Sequence, residues 1–198
     1  MNPESNPRGA PTDEDRMAAL RRGDLGAFED IVRAHKDPLY AYFARMVGDR
    51  SWAEDLCQET FLRVYRSRDE YMERNEFRAW LFRIARNLAL DFLRREKRRR
   101  AFSLSRPAAG APLPDSIPGG ALSPPEELAT RELAGKIEDA ILDLPLRFRN
   151  VFVLCAVEGL SYEEVARVEG CPVKTVSSRL SRARRRFQKR IDPYLLGG

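Results

Sequence analysis

The chain is poor in the residues from which most reactive centres are assembled. It holds one histidine, His35, and three cysteines, Cys57, Cys155 and Cys171, with no C-x-x-C pair among them. A metal site needs clustered ligands and a disulfide framework needs an even set of cysteines, so neither organises this chain. The expectation is of reduced thiols in a cytoplasmic protein that uses no cofactor. Neither a glycine-rich phosphate loop nor a nucleophile–base constellation can be assembled, which argues against an enzyme and against a small-molecule substrate. No apolar run approaches the roughly 18 residues of a membrane span, and the first eleven residues lack the apolar stretch of a secretory signal. Nor does any segment alternate as a half-buried strand does.

Charge is what the chain has, unevenly placed. The 198 residues carry a net +5. Residues 94–100 hold six basic side chains against Glu96, and residues 174–190 hold eight basic side chains and no acid. The remainder is therefore net acidic. Two concentrated cationic patches suit two phosphate footprints better than a generally sticky surface.

Helical periodicity fills most of the rest. Thr12 and Asp15 suit the start of a helix to about Arg22, and Asp24 suits the start of a longer one that Pro38 should kink or interrupt. Ser51 with Glu54 matches a capping box opening a helix to Arg66. Residues 67–76 read as a loop, and a long helix follows from Phe77 to about Arg100. Residues 101–125 are rich in proline, glycine and alanine and read as a flexible linker. Helices resume near Glu126, break at Pro145, and run again from Leu146 to Glu158. The expected fold is all-α: a tail (1–11), a helical domain (12–100), the linker (101–125), a second helical domain (126–192) and a short tail (193–198).

The last forty residues are the most specific. Ser161 and Glu164 match a capping box, Gly170 suits a left-handed helix end, and Pro172 suits the next first turn. Beyond it Val176, Leu180, Ala183 and Phe187 form an apolar stripe, while Lys174, Ser177, Ser178, Ser181, Arg182 and Arg185 occupy the other face. Two helices joined tightly, the second basic and rich in hydroxyls, describe a helix-turn-helix whose second helix enters the DNA major groove.

Three runs then carry a family resemblance. They are Ala53–Arg66 (AEDLCQETFLRVYR), Phe77–Arg95 (FRAWLFRIARNLALDFLRR), and the C-terminal set Leu144-Pro145, Gly159–Ala166 and Thr175–Arg184. In this order, around a proline-rich linker, they resemble extracytoplasmic-function sigma factors of the sigma-70 family. The resemblance covers about residues 12–192. It implies that the first domain is sigma region 2, which opens the −10 promoter element, and that the second is region 4, which binds the −35 duplex. Its implied partners are core RNA polymerase, promoter DNA and an anti-sigma factor.

The resemblance also distributes roles. Glu54, Asp55, Gln58 and Glu59 would dock on the polymerase, although a solvated acidic face is the plain alternative. Residues 67–76 match the loop that captures an unstacked base of the −10 strand; Tyr71 and Asn75 are its candidates, unless Tyr71 merely packs the loop. Asn87 and Arg94, Arg95, Arg98 and Arg99 would meet DNA along the long helix, the arginines by positioning phosphates. Trp80 reads as core. At the −35 element the candidates are Lys174, Thr175, Ser177, Ser178, Arg179, Ser181, Arg182 and Arg185. Lys174 stands where many members have glycine, and Ser177 where a larger basic residue is frequent, so groove shape should carry part of the readout.

The linker provides a length check. Twenty-five residues span about 25–30 Å as a flexible coil but reach about 78 Å as extended polyproline. Promoter elements about 20 base pairs apart are separated by about 68 Å of duplex. A stand-alone helix-turn-helix regulator leaves the acidic face and the first basic helix without a role, and an interaction module that serves mainly as the target of an inhibitor is a third reading.

Overall fold

The computed structural model describes residues 11–72, 76–102 and 124–195, and Asn75 and most of the linker lie outside them. Among the described residues every regular element is helical. The first unit comprises α1 (Asp13–Arg21), α2 (Leu25–Val47), α3 (Arg50–Arg66), a 3₁₀ turn (Arg68–Glu70) and α4 (Phe77–Phe102). The second comprises α5 (Pro124–Leu142), α6 (Leu146–Phe152) widening into a π turn (Val153–Val157), α7 (Tyr162–Glu169) and α8 (Val173–Leu195).

Local chemistry accounts for most boundaries. Thr12 and Asp15 close a reciprocal capping box on α1, and Ser161 and Glu164 do the same on α7. Gly170 ends α7 at φ 65°, a left-handed conformation that a Cβ would strain. Several expectations fail. Helix α2 runs through Pro38 without interruption. The lost amide bond is offset by Ile31, Leu39, Tyr42 and Phe43, which are buried on both sides of the proline. The cap of α3 is Asp49, whose carboxylate accepts from the Trp52 amide, and Ser51 lies inside the helix. Asp49 is extended in backbone and offers its oxygen two residues ahead of Ser51, so the helix is capped before Ser51 is reached. Helix α8 also continues past the expected end through Pro193, and α5 begins at Pro124, within the segment read as linker.

The cores of the two units form one cluster. Tyr42 packs edge-on against Phe43 and Phe82 at 5.4 and 5.5 Å, and burial continues through Leu144, Phe148, Val151 and Leu154 to Val176, Leu180 and Ala183. A polar network crosses the junction. The Tyr42 hydroxyl donates to Asn150 Oδ1 at 2.6 Å, and Asn150 Nδ2 donates to Glu169 Oε1 at 2.5 Å. Glu169, with its side chain 5% exposed, also takes Arg86 of α4 at 2.8 Å and Arg179 of α8 at 2.6 Å. Arg149 donates to the Met46 carbonyl at 2.7 Å, and Arg78 donates to the Glu158 carbonyl. Burying a carboxylate requires this degree of pairing. Each unit is thus tied to the other by hydrogen bonds as well as by apolar contact.

Candidate nucleic-acid and partner-protein interfaces

Helix α3 divides cleanly. Ala53, Leu56, Cys57, Thr60, Phe61 and Val64 are buried, while Glu54, Asp55 and Gln58 are exposed and Glu59 is half-buried beside Arg63 at 2.9 Å. Two large apolar side chains join the outward face: Trp52 is 44% exposed and Leu62 is 48% exposed. Trp52, Asp55, Glu59 and Leu62 recur at spacings of three, four and three, which places them on one stripe. Trp52 is also held, with its ring 4.9 Å from that of Phe92. An oriented aromatic and a leucine at the two ends of an acidic row make a surface suited to a protein partner rather than to solvent alone. That periodicity was present in the sequence, masked by the charges between.

At the start of α4 lies an open cavity of about 300 Å³ lined by Tyr71, Met72, Glu76, Trp80 and Arg83, with Arg167 of α7 at its edge. Tyr71 is only 3% exposed. Its ring packs 4.8 Å from Trp80 and 5.9 Å from Phe77, and its hydroxyl donates to Glu14 Oε1 at 2.5 Å. Tyr71 therefore shapes the wall of the cavity and offers little ring face. Trp80 is half-buried and not fully core, and Met72 is 68% exposed. His35 sits behind this group, 2.9 Å from Asp13 and with its ring 5.3 Å from Phe77. That hydrogen bond holds the Asp13 carboxyl below the ordinary carboxylate range.

Farther along α4, Asn87 is exposed and accepts from Arg86 at 3.3 Å. Arg94, Arg95, Arg98 and Arg99 are all exposed. Arg94 pairs with Asp91 at 3.1 Å and Arg99 with Glu96 at 2.9 Å, each one turn back. Exposed pairs of this kind contribute about 1 kcal/mol or less, so a phosphate can replace the acid readily.

Helix α8 buries Val176, Leu180 and Ala183 and leaves Lys174, Ser177, Ser178, Ser181, Arg182 and Arg185 exposed. Ser178 donates to the Thr175 carbonyl at 3.0 Å. Thr175 and Arg179 are half-buried, and Arg179 is engaged by Glu169. Among the described residues, no acid forms an ion pair with Lys174, Arg182 or Arg185; Arg190, near the other end, reaches Asp143 at 3.0 Å. The outward face of α8 is thus brought together much as the sequence reading grouped it, except that Thr175 and Arg179 turn inward.

The remaining reactive groups are muted. Burial pushes the Cys57 and Cys155 thiols up to about 11, which keeps both protonated and poorly nucleophilic. Among the described residues no helix is long and apolar enough to cross a membrane. Burial also pushes the Glu158 carboxyl up to about 7, against the opposing pull of Arg45 and Arg78.

Comparisons with known proteins follow the same division of the chain. Residues 31–99 match the family model for sigma-70 region 2, and residues 134–187 match that for sigma-70 region 4. The chain is 34% identical over 179 residues to the ECF RNA polymerase sigma factor SigW of Bacillus subtilis, covering 89% of this chain and 95% of that protein. It is 37% identical over 183 residues to the ECF RNA polymerase sigma factor SigE of Mycolicibacterium smegmatis, covering 90% of this chain and 68% of the relative. Among solved structures, the sigma factor RpoE in complex with the anti-sigma factor NepR from Bartonella quintana superposes with a TM-score of 0.70 at 25% identity, over 83% of this chain and 96% of that one.

Proposed function

Because this chain belongs to the extracytoplasmic-function RNA polymerase sigma factors, we propose how its surfaces divide the work of promoter-directed transcription initiation. It acts with core RNA polymerase on promoter DNA, and an anti-sigma factor is its third partner. It is a binding and positioning factor of the cytoplasm; the bond-making chemistry belongs to the polymerase.

The α3 stripe Trp52, Asp55, Glu59 and Leu62, with Glu54 and Gln58 beside it, docks on the polymerase. The charges set encounter and register, and the two apolar ends supply the buried area. The cavity lined by Tyr71, Met72, Trp80 and Arg83 takes an unstacked base of the −10 strand, with Asn75, which lies outside the described residues, as a further candidate. Asn87, Arg94, Arg95, Arg98 and Arg99 hold the strand along α4. Ser177, Ser178, Ser181 and Arg182 face the −35 major groove, with Lys174 and Arg185 on phosphates. Thr175 and Arg179, both half-buried, act at that element by bracing the helix, and the ion pair of Arg179 with Glu169 supports this reading.

The observation that carries this reading is the separation of an acid-free cationic face on α8 from an acidic, apolar-ended face on α3. The two promoter elements lie about 68 Å apart. The two units, joined here through Glu169, must part to reach both. Reconstituted run-off transcription tests the reading: the chain added to core polymerase should give initiation at a promoter that core alone ignores. A chain that binds promoter duplex by itself yet confers no initiation is a stand-alone regulator, and the assignment falls.

A further inference from the structure

Glu76 holds a carboxylate at the head of the cavity on α4, and its partner there comes from the other unit. The backbone carbonyl of Glu76 accepts the Trp80 amide at 2.9 Å, so the residue is fixed at the first turn of the helix. Trp80 and Arg83 follow at spacings of four and three, which puts the three side chains on one stripe. All three line the cavity, with Glu76 and Trp80 half-buried and Arg83 exposed. Glu76 and Arg83 are separated by about 10 Å of helix axis. Among the described residues Glu76 forms its ion pair instead with Arg167 of α7, at 3.5 Å, and Arg167 lines the same cavity from its edge. A guanidinium is a planar fork of N–H donors. An unstacked guanine carries the same fork, because N1–H and the N2 amine on its Watson–Crick edge belong to a guanidine unit. Arg167 thus shows the kind of group this carboxylate accepts.

We propose that Glu76 is the specificity-determining residue of the −10 base cavity and that the base it selects is guanine. The inference rests on the reading of this cavity as a base site. Once the two units part to reach both promoter elements, Arg167 leaves with α7 and the carboxylate loses its donor. An ionised carboxylate has acceptors only, and guanine is the base that meets it with two adjacent donors. Thymine offers a single N–H between two carbonyls. Adenine and cytosine each set one amine beside a ring nitrogen that is itself an acceptor. Guanine therefore leaves neither partner unpaired, while each of the others turns an acceptor towards the carboxylate. At the far end of the stripe Arg83 matches the opposite edge of the same base, where O6 and N7 accept from an arginine fork. Trp80 lies between the two as an apolar surface for the ring.

The test uses the full chain assembled with core RNA polymerase and a single-stranded DNA library randomised over ten positions, sequenced after capture. The wild type should select guanine by about tenfold or more at one position, the factor expected of a hydrogen-bonded charge. Replacing that guanine with inosine removes only the N2 amine and should cost the wild type about tenfold in affinity. Glu76→Ala should bind the two strands within about twofold of each other, with −35 duplex binding unaltered. Arg167→Ala should keep the wild-type preference, because the guanidinium has already left the site. The inosine comparison needs no variant, so it decides the matter even if Glu76→Ala fails to fold. Equal binding of the guanine and inosine strands by the wild type overturns the inference, as does undiminished discrimination in Glu76→Ala or loss of the preference in Arg167→Ala. Selection of other bases and never of guanine also overturns it, and leaves the base-site reading standing. Selection of no base at any position overturns that reading, and the inference with it.

Discussion

The two cationic helices hold their charge in different ways. On α4 acids are interleaved with the arginines, so that Arg94 and Arg99 each sit on a carboxylate one turn back and Arg86 is committed to Glu169. On α8 the run from Lys174 to Arg190 contains no acid, and Lys174, Arg182 and Arg185 stand exposed. A phosphate reaching α4 exchanges one anion for another at several points, whereas a phosphate reaching α8 mostly displaces water and salt. The expected consequence is that α8 carries more of the salt-dependent grip, and α4 more of the local geometry.

Glu169 is where the contrast breaks down, because both helices neutralise an arginine on it. Glu169→Ala leaves Arg86, Arg179 and the buried Asn150 amide without their acceptor, and should cost about 3 kcal/mol in thermal or urea unfolding. A change under about 0.5 kcal/mol would mean that the junction is held by apolar contact alone.

The difference between the helices is sharpened by a pair of single changes. Arg182→Ala should weaken −35 duplex binding by about 1–3 kcal/mol and lower the salt slope by about one. Arg94→Ala, whose side chain is already paired, should change affinity for −10 single strand by about 0.5 kcal/mol or less. Titrations across a salt series read both, and equal slopes for the two variants would remove the distinction.

A smaller effect separates the units by pH. The Glu158 carboxyl at about 7 compares with an ordinary 4.5, so between those values the folded chain keeps a proton that the unfolded chain has released. Stability contributed by this group therefore falls as pH climbs from 4.5 to about 7 and levels off above it. Asp13 in the first unit runs the other way: its carboxyl is held low by His35, and its contribution is lost only as pH falls below the ordinary 3.8. Glu158→Gln should be more stable than wild type at pH 8 by about 1 kcal/mol, with the gap closing towards pH 4.5. A gap that is constant across that range would rule out the titration of Glu158 as its source.

Local signals were the legible part of this fold. The capping boxes at Thr12 and Ser161, the left-handed Gly170 and the Val176–Leu180–Ala183 stripe depend on residues within a turn or two of each other, and the structure has all of them. The cap at Asp49 was missed because Ser51 with Glu54 fits the capping-box spacing two residues later. Pro38 misled because burial on both sides of it comes from other helices. The links made by Glu169 to Arg86 and by Glu14 to Tyr71 join residues 83 and 57 apart, and no periodicity reports such pairings. The outward stripe of α3 was half legible: its acids were read, while Trp52 and Leu62 were passed over because exposed apolar residues are ordinary when taken singly.

The central claim is that α3 anchors the chain to the polymerase while α4 and α8 meet the promoter. Its most direct test is the affinity of the chain for core RNA polymerase in the absence of DNA, compared with that of Trp52→Ala and Asp55→Ala. The account predicts tight binding by the wild type and a loss of about tenfold or more in each variant, with −35 duplex binding unaltered. Failure of the wild type to bind core polymerase at low salt, or full binding by both variants, would contradict it.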